Sequence, residues 1–135
     1  MQDASESLQE GMTGKITEEV TGENVASKCG SGELDVYGTP YMIAAMERSA
    51  VSAVDDSLPD GWITVGIAVD VSHLAVTPIG GEITVEAELK KVDGKKLIFS
   101  VEASDDKEMI GKGTHQRYCV HKESFLDNAA EKLKK

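Results

Sequence analysis

The chain has 135 residues, which suits one domain and allows a single core that buries roughly 65–70% of the unfolded surface. Its 24 acidic side chains against 14 basic ones leave a net charge of −10, which argues against general nucleic-acid binding, because that needs clustered Lys and Arg. A hydrophobic share of 40% argues against wholesale disorder, and no uncharged apolar run reaches the roughly 18–20 residues needed to cross a bilayer.

The first seven residues, Met1 to Ser7, are polar and acidic, the reverse of a secretory leader. A soluble, cytoplasmic protein is expected. Cys29 and Cys119 lie far apart with no CxxC, so two buried thiols are favoured over a disulfide or a thiolate metal site. Charge is uneven: residues 1–39 hold 8 acids and 2 bases, residues 40–81 hold 5 and 1, and residues 82–135 hold 11 of each. An anionic ligand would therefore be met in the last part of the chain, although a solvated lysine-rich surface explains the same bias.

Residues 1–13 carry little pattern and are expected to be mobile or loosely held. A short strand is expected at 15–20. Residues 21–38 are irregular, with Gly22, Gly30, Gly32 and Gly38 as punctuation, and an ordered loop of that length is usually functional or flexible. Thr39 as N-cap and Pro40 as first helical residue open a helix over 40–54. Its residues, YMIAAMERSAVSAV, are small or apolar around nearly the whole circumference, which predicts a helix enclosed by protein.

Four strands are predicted after it. In 62–73, Ile63, Val65, Ile67, Val69 and Val71 alternate with smaller or polar residues as the inward row, and His73 continues that row and should point toward the helix. A turn at 77–81 leads to 82–89, where Ile83, Val85, Ala87 and Leu89 share a face. Asp93 and Gly94 signal a hairpin into 96–103, with Leu97, Phe99, Val101 and Ala103 aligned. The last strand, 109–121, contains Gly111 and Gly113, which suggests a bulge or close backbone approach. A short helix is predicted at 124–134. A sheet with one apolar face needs a cover, and helix 40–54 is the only long apolar element that offers one. The fold class is therefore α+β: one central helix wrapped by a curved antiparallel sheet of about five strands, the hotdog architecture. An open edge in so small a sheet invites pairing with a second copy.

Glu47 stands in an otherwise enclosed helix, where a carboxylate must be paired or used. It reads as a salt bridge to Arg48 of the partner subunit, as part of a helix face touching solvent, or as a carboxylate of raised pKa serving as general base or nucleophile. Arg48, Ser49 and Ser52 read as interface or surface residues. His73 reads as a satisfied core histidine unless it lies beside Thr39 and Glu47. His115 and His121 are about 20 Å apart along a strand, too far to share a metal, and both are expected at the surface. Thr39 reads as a plain cap, yet helix N-termini also polarise carbonyls and bind anions. Thr39 and Glu47 are separated by about 12 Å of helical rise, so they can serve one substrate atom only if one of them comes from a neighbouring subunit.

The segments GTPYMIAAME at 38–47, GIAVDVSH at 66–73 and IGKGTHQRYCVH at 110–121 resemble the fluoroacetyl-CoA thioesterase family of hotdog proteins, and the likeness runs over residues 12–130. The resemblance implies an acyl-CoA thioesterase, homodimeric and possibly tetrameric, that needs no cofactor or metal. It places the family's catalytic threonine, glutamate and histidine on Thr39, Glu47 and His73. The substrate-contacting glycine and arginine fall on Gly66 and Arg117; without the resemblance, Arg117 reads as a surface or interface arginine. Ahead of the helix, residues 31–38 offer Leu34, Val36 and Tyr37 where the fluoroacetate enzyme has a phenylalanine-lined lid. The resemblance thus implies a thioesterase of this type and leaves its acyl group open. A rival of another class is a non-catalytic module that binds acyl thioesters, in which Glu47 and His73 serve only the interface.

Overall fold

The computed structural model describes residues 4–134 and lays a long helix, α1 (Thr39–Val54), in the hollow of a five-stranded antiparallel sheet. The strands are β1 (Thr13–Glu19), β2 (Trp62–His73), β3 (Glu82–Asp93), β4 (Lys96–Ser104) and β5 (Met109–His121). Their spatial order is β1-β3-β4-β5-β2, so β1 and β2 are the two edges. The turn at 77–81 does not close a hairpin. Instead β2 pairs with β5, while β3 lies between β1 and β4. Asp93 and Gly94 do close one, with Gly94 at φ +62, and Asp93 pairs with Lys96.

Helical spacing explains how α1 meets the sheet. Met42, Ala45, Met46, Ser49, Ala50 and Val54 recur every three or four residues and are buried. They pack on the alternating rows Ile83, Val85, Ala87, Leu89 and Leu97, Phe99, Val101, Ala103, all fully buried as their period of two requires. Each large apolar side chain so buried stabilises the fold by about 1.5–3 kcal/mol. Ser49 is part of this core and not of the surface, and its hydroxyl donates to the Met46 carbonyl at 2.7 Å. It is buried because the helix lies directly on β1, where a Cβ on Gly14 would stand 2.1 Å from the Ser49 carbonyl oxygen.

The opposite half of α1 is less covered: Ile43, Ala44, Glu47 and Val51 stay half-exposed. Enclosure around the full circumference is therefore not met within one protomer. β2 beside it has a free edge, and Ile67 and Val69 on it are 50% and 41% exposed.

β2 departs from strict alternation. Its pairing with β5 slips by one residue between Gly66 and Ala68, a β-bulge at Ile67. Residues paired across an antiparallel ladder share a face, and Thr64 pairs with buried Cys119, Gly66 with buried Arg117 and Val69 with buried His115. The row facing the helix is thus 62, 64, 66 before the bulge and 69, 71, 73 after it. The alternation over Ile63, Val65 and Ile67 runs on the outer face, whereas His73 points inward as expected.

Residues 4–12 are tied down more than the sequence suggests. Ala4 to Ser7 form a 3-10 turn, and Ala4 and Leu8 are buried in the core. The chain from 21 to 38 is also ordered, by bridges between Val25 and Tyr37 and between Val36 and Pro78. Cys29 is an exposed free thiol in this loop, not a buried one, while Cys119 is buried. After β5, α2 (Lys122–Ala130) begins two residues earlier than predicted and buries no side chain.

Candidate active site

The first turn of α1 is built differently from the expected cap. Gly38, in extended conformation, holds the N-cap position and accepts from the Tyr41 and Met42 amides, each at 3.0 Å. Thr39 is the first helical residue and Pro40 the second. The Thr39 side chain is then free of capping duty, and its Oγ1 lies 2.7 Å from Nδ1 of His73.

His73 ends β2 and pairs with Gly111 of β5. A Cβ on Gly111 would stand 2.5 Å from Met42 Sδ, so the glycine lets this end of the sheet close onto the helix. The imidazole is half-buried, and among the described residues no group meets its Nε2 with hydrogen-bond geometry. Burial pushes its pKa below the ordinary histidine value, with the Ala75 backbone opposing. The Tyr37 ring meets it edge-on, 6.4 Å between centroids. Tyr37 is itself fixed: its hydroxyl donates to the Glu18 carboxylate, which also accepts from Arg48 at 3.0 Å. Burial first, then Glu18, drive the Tyr37 pKa far up, so this phenol holds its proton. Beside Thr39 and His73 opens a cavity of about 480 Å³, walled by Leu34, Val36, Leu74, Ala75 and Val76.

Glu47, Gly66 and Arg117 form a second group farther along the same elements. A Cβ on Gly66 would stand only 2.7 Å from Glu47 Oε2, so a glycine is needed to admit the carboxylate. Arg117 is 6% exposed; its Nε donates to Thr64 Oγ1 at 2.8 Å and its Nη2 to the Thr64 carbonyl at 2.9 Å. Nη1 reaches Glu47 Oε2 at 3.4 Å, a long contact, and the Glu47 side chain stays 40% exposed. Burial lowers the Arg117 pKa and Glu47 opposes that shift. Arg117 is thus neither surface nor plain interface residue, and Glu47 meets Arg117 of its own chain.

His115 completes this group. The sequence reading puts it at the surface, but it is 1% exposed, its ring stacked near Phe99 with centroids 6.4 Å apart. Nδ1 lies 2.8 Å from the Ala68 carbonyl and Nε2 lies 3.2 Å from Arg117 Nη1. His121 is half-exposed, against Trp62 and Ser124. A signal for His115 exists in the sequence: it shares strand parity with Gly111, Gly113, Arg117 and Cys119. Tyr37 and Thr64 carried no such mark. Among the described residues, no group of three or more His, Cys, Asp or Glu is placed to hold a metal ion, and no helix is long and apolar enough to span a membrane.

The structure therefore gathers the five expected residues into two groups within one protomer. Thr39 joins His73, and Glu47 joins Gly66 and Arg117. About 12 Å of helix separates Thr39 from Glu47, and about 20 Å of strand separates His73 from Gly66.

Comparison with known proteins agrees with this architecture. A family model described as fluoroacetyl-CoA-specific thioesterase (FlK) matches residues 20–123. The fluoroacetyl-CoA thioesterase of Streptantibioticus cattleyicolor is 39% identical over 98 residues, 73% of this chain and 70% of that protein. A solved structure of the fluoroacetyl-CoA thioesterase FlK superposes with a TM-score of 0.86 at 32% identity, over 93% of this chain and 97% of the other. A hot-dog-like protein from Thermanaerovibrio acidaminovorans shares the fold, with a TM-score of 0.90 at 22% identity over 99% of each chain. With its α+β hotdog fold, the chain belongs to the family of the fluoroacetyl-CoA-specific thioesterases.

Proposed function

We propose that the protein hydrolyses an acyl-CoA thioester to the free acid and CoA, at a site assembled from two protomers. Thr39 and His73 of one chain would meet Glu47, Gly66 and Arg117 of the partner subunit. The observation that carries this reading is the separation of the five residues into two groups at distances no side chain can bridge. A two-fold axis beside α1 and β2 runs the two helices antiparallel and brings the halves together. The half-exposed Ile43, Ala44 and Val51 and the free β2 edge, with Ile67 and Val69 uncovered, supply the surface that such pairing would bury.

The chemistry follows from the groups present. The thioester carbonyl sits at the first turn of α1, where the positive end of the helix dipole and the Thr39 hydroxyl stabilise the developing oxyanion. Glu47 either takes a proton from an attacking water or attacks the carbonyl carbon itself. As the tetrahedral centre collapses, the C–S bond breaks and the CoA thiolate leaves, with His73 assisting proton transfer. Where Glu47 is the nucleophile, water then hydrolyses the acyl–Glu47 anhydride to the free acid and restores the carboxylate. One oxyanion donor contributes about 10²–10³ in rate, and a positioned acid or base about 10²–10⁴. Leu34, Val36, Leu74 and Val76 give the cavity beside Thr39 an aliphatic part that suits an apolar acyl group, while Ser31 and Glu33 add polar lining. The cytoplasm is the proposed compartment, in keeping with two free thiols.

The test is thiol release from acetyl-, branched short-chain, medium-chain and aromatic acyl-CoA, with Glu47→Gln and His73→Ala in parallel. Turnover that both substitutions reduce at least about a hundredfold supports the reading. A thioester that raises the melting temperature without being cleaved would make the protein a binding module instead.

A further inference from the structure

We infer that His115 is a positioning residue: its Nε2 accepts from Arg117 Nη1 and so sets the distance between that guanidinium and the Glu47 carboxylate. The inference rests on the thioesterase reading for its effect on catalysis, but its geometry stands apart from that reading.

The tautomer is decided by the backbone. A carbonyl oxygen only accepts, so the 2.8 Å contact with Ala68 makes Nδ1 the protonated nitrogen of a neutral imidazole. Nε2 is then a lone-pair acceptor, and the group 3.2 Å away, Arg117 Nη1, only donates. Ala68 follows the bulge at Ile67, where the β2–β5 ladder skips a residue, so the irregularity and the histidine fit one another. An imidazolium here would set a second buried cation against a guanidinium that is itself 6% exposed.

Packing alone does not call for a histidine. The ring stacks on Phe99, and an apolar side chain of similar volume would fill that space. What the imidazole adds is an acceptor for the one guanidinium nitrogen that Thr64 does not hold. Nε and Nη2 are tied to Thr64, leaving Nη1 between His115 and Glu47. Shared in this way, Nη1 stays 3.4 Å from Glu47. Without the acceptor, the guanidinium would satisfy Nη1 by closing on the carboxylate, which holds Glu47 back from the reacting carbonyl. Displacement of a catalytic group by about 1 Å costs on the order of a hundredfold in rate.

Two substitutions separate the two ring nitrogens. His115→Gln reaches Arg117 with an amide oxygen and gives up the Ala68 contact, whereas His115→Asn keeps a donor for Ala68 and cannot reach Nη1. With the best thioester, kcat is expected to stay within about threefold of the parent for Gln and to fall at least about tenfold for Asn, with KM changed less than about threefold in both. Equal kcat in the two variants, whether retained or lost, overturns the inference, because the acceptor would then not be the feature that matters. A second measurement uses the unaltered protein: ¹⁵N shifts of the imidazole at neutral pH should report His115 neutral with the proton on Nδ1. A proton on Nε2, or an imidazolium, overturns the inference whatever the variants do. If the parent cleaves no thioester the proposed function fails, and the ¹⁵N result still decides the geometry.

Discussion

Thr39 Oγ1 and His73 Nδ1 lie 2.7 Å apart, joining the first turn of α1 to the last residue of β2. The contact exists because Gly38 takes over the cap position and leaves the threonine hydroxyl unclaimed by the helix. Thr39→Ala should lower kcat by about 10²–10³, the worth of an oxyanion donor, while Thr39→Ser should stay within about tenfold. Steady-state kinetics on both variants checks this, and equal losses would assign Thr39 a packing role.

Separation of the two groups makes a mixing experiment decisive. Thr39→Ala and Glu47→Gln should each be inactive alone. Unfolded together and refolded at equal concentrations, they should regain about a quarter of parental activity, because half the dimers are mixed and each mixed dimer holds one intact site. No recovery would place the whole site within one chain.

Protonation of His73 should switch the protein off from the acid side. Burial puts its folded pKa below the ordinary 6.5, with the Ala75 backbone opposing. Between the folded and unfolded values the unfolded chain binds more protons, so stability rises with pH through that window and is lost as pH falls below about 6.5. His115 shifts in the same direction, by burial, against the Ala68 carbonyl and with help from Arg117. Both kcat/KM and the melting temperature should therefore drop as the pH falls below about 6.5. A flat profile for both would contradict this.

Gly66→Ala isolates the second group. The added methyl would stand 2.7 Å from Glu47 Oε2 and 3.3 Å from both Arg117 Nη1 and His115 Cε1, so the carboxylate must move while the strand need not. An activity loss of at least about tenfold is expected with a melting temperature within about 4 °C of the parent. Thermal melts beside kinetics separate the two, and a large loss of stability would show that the backbone had given way.

Much of this molecule was legible in its residues. Buried rows on β3 and β4 follow from simple alternation, and α1 follows from Pro40 and its apolar stripe. Thr39 and His73 were legible as partners only in principle, because a cap and an inward histidine each have an ordinary explanation. Over residues 63–67 the facing row of β2 is not the apolar one, since the bulge at Ile67 leaves no mark in the sequence and the residues turned to the helix there are Thr64 and Gly66. His115 reads as a surface residue because a polar side chain is ordinarily exposed, although its parity with Gly111, Gly113, Arg117 and Cys119 marks the inner face. Its acceptor role depends on Ala68 and Arg117, which only the β2–β5 register brings to it. Sheet order was hidden for a similar reason: a Gly-Pro-containing segment reads as a turn whether it closes a hairpin or carries the chain across to β1.

Gly66 and His73 stand seven positions apart, and in a regular strand an odd interval sends two residues to opposite faces. Both nevertheless look toward α1, because one supernumerary residue at Ile67 restores the count. The interval is thus as much a part of the site as the two residues. Deleting Ile67 would leave six positions, an even interval that a regular strand carries on one face, so Gly66 and His73 should both still look toward the helix and the bulge should vanish. Relatives with an even interval here should keep both groups on one face without a bulge, whereas those with an odd one should carry a bulge between them.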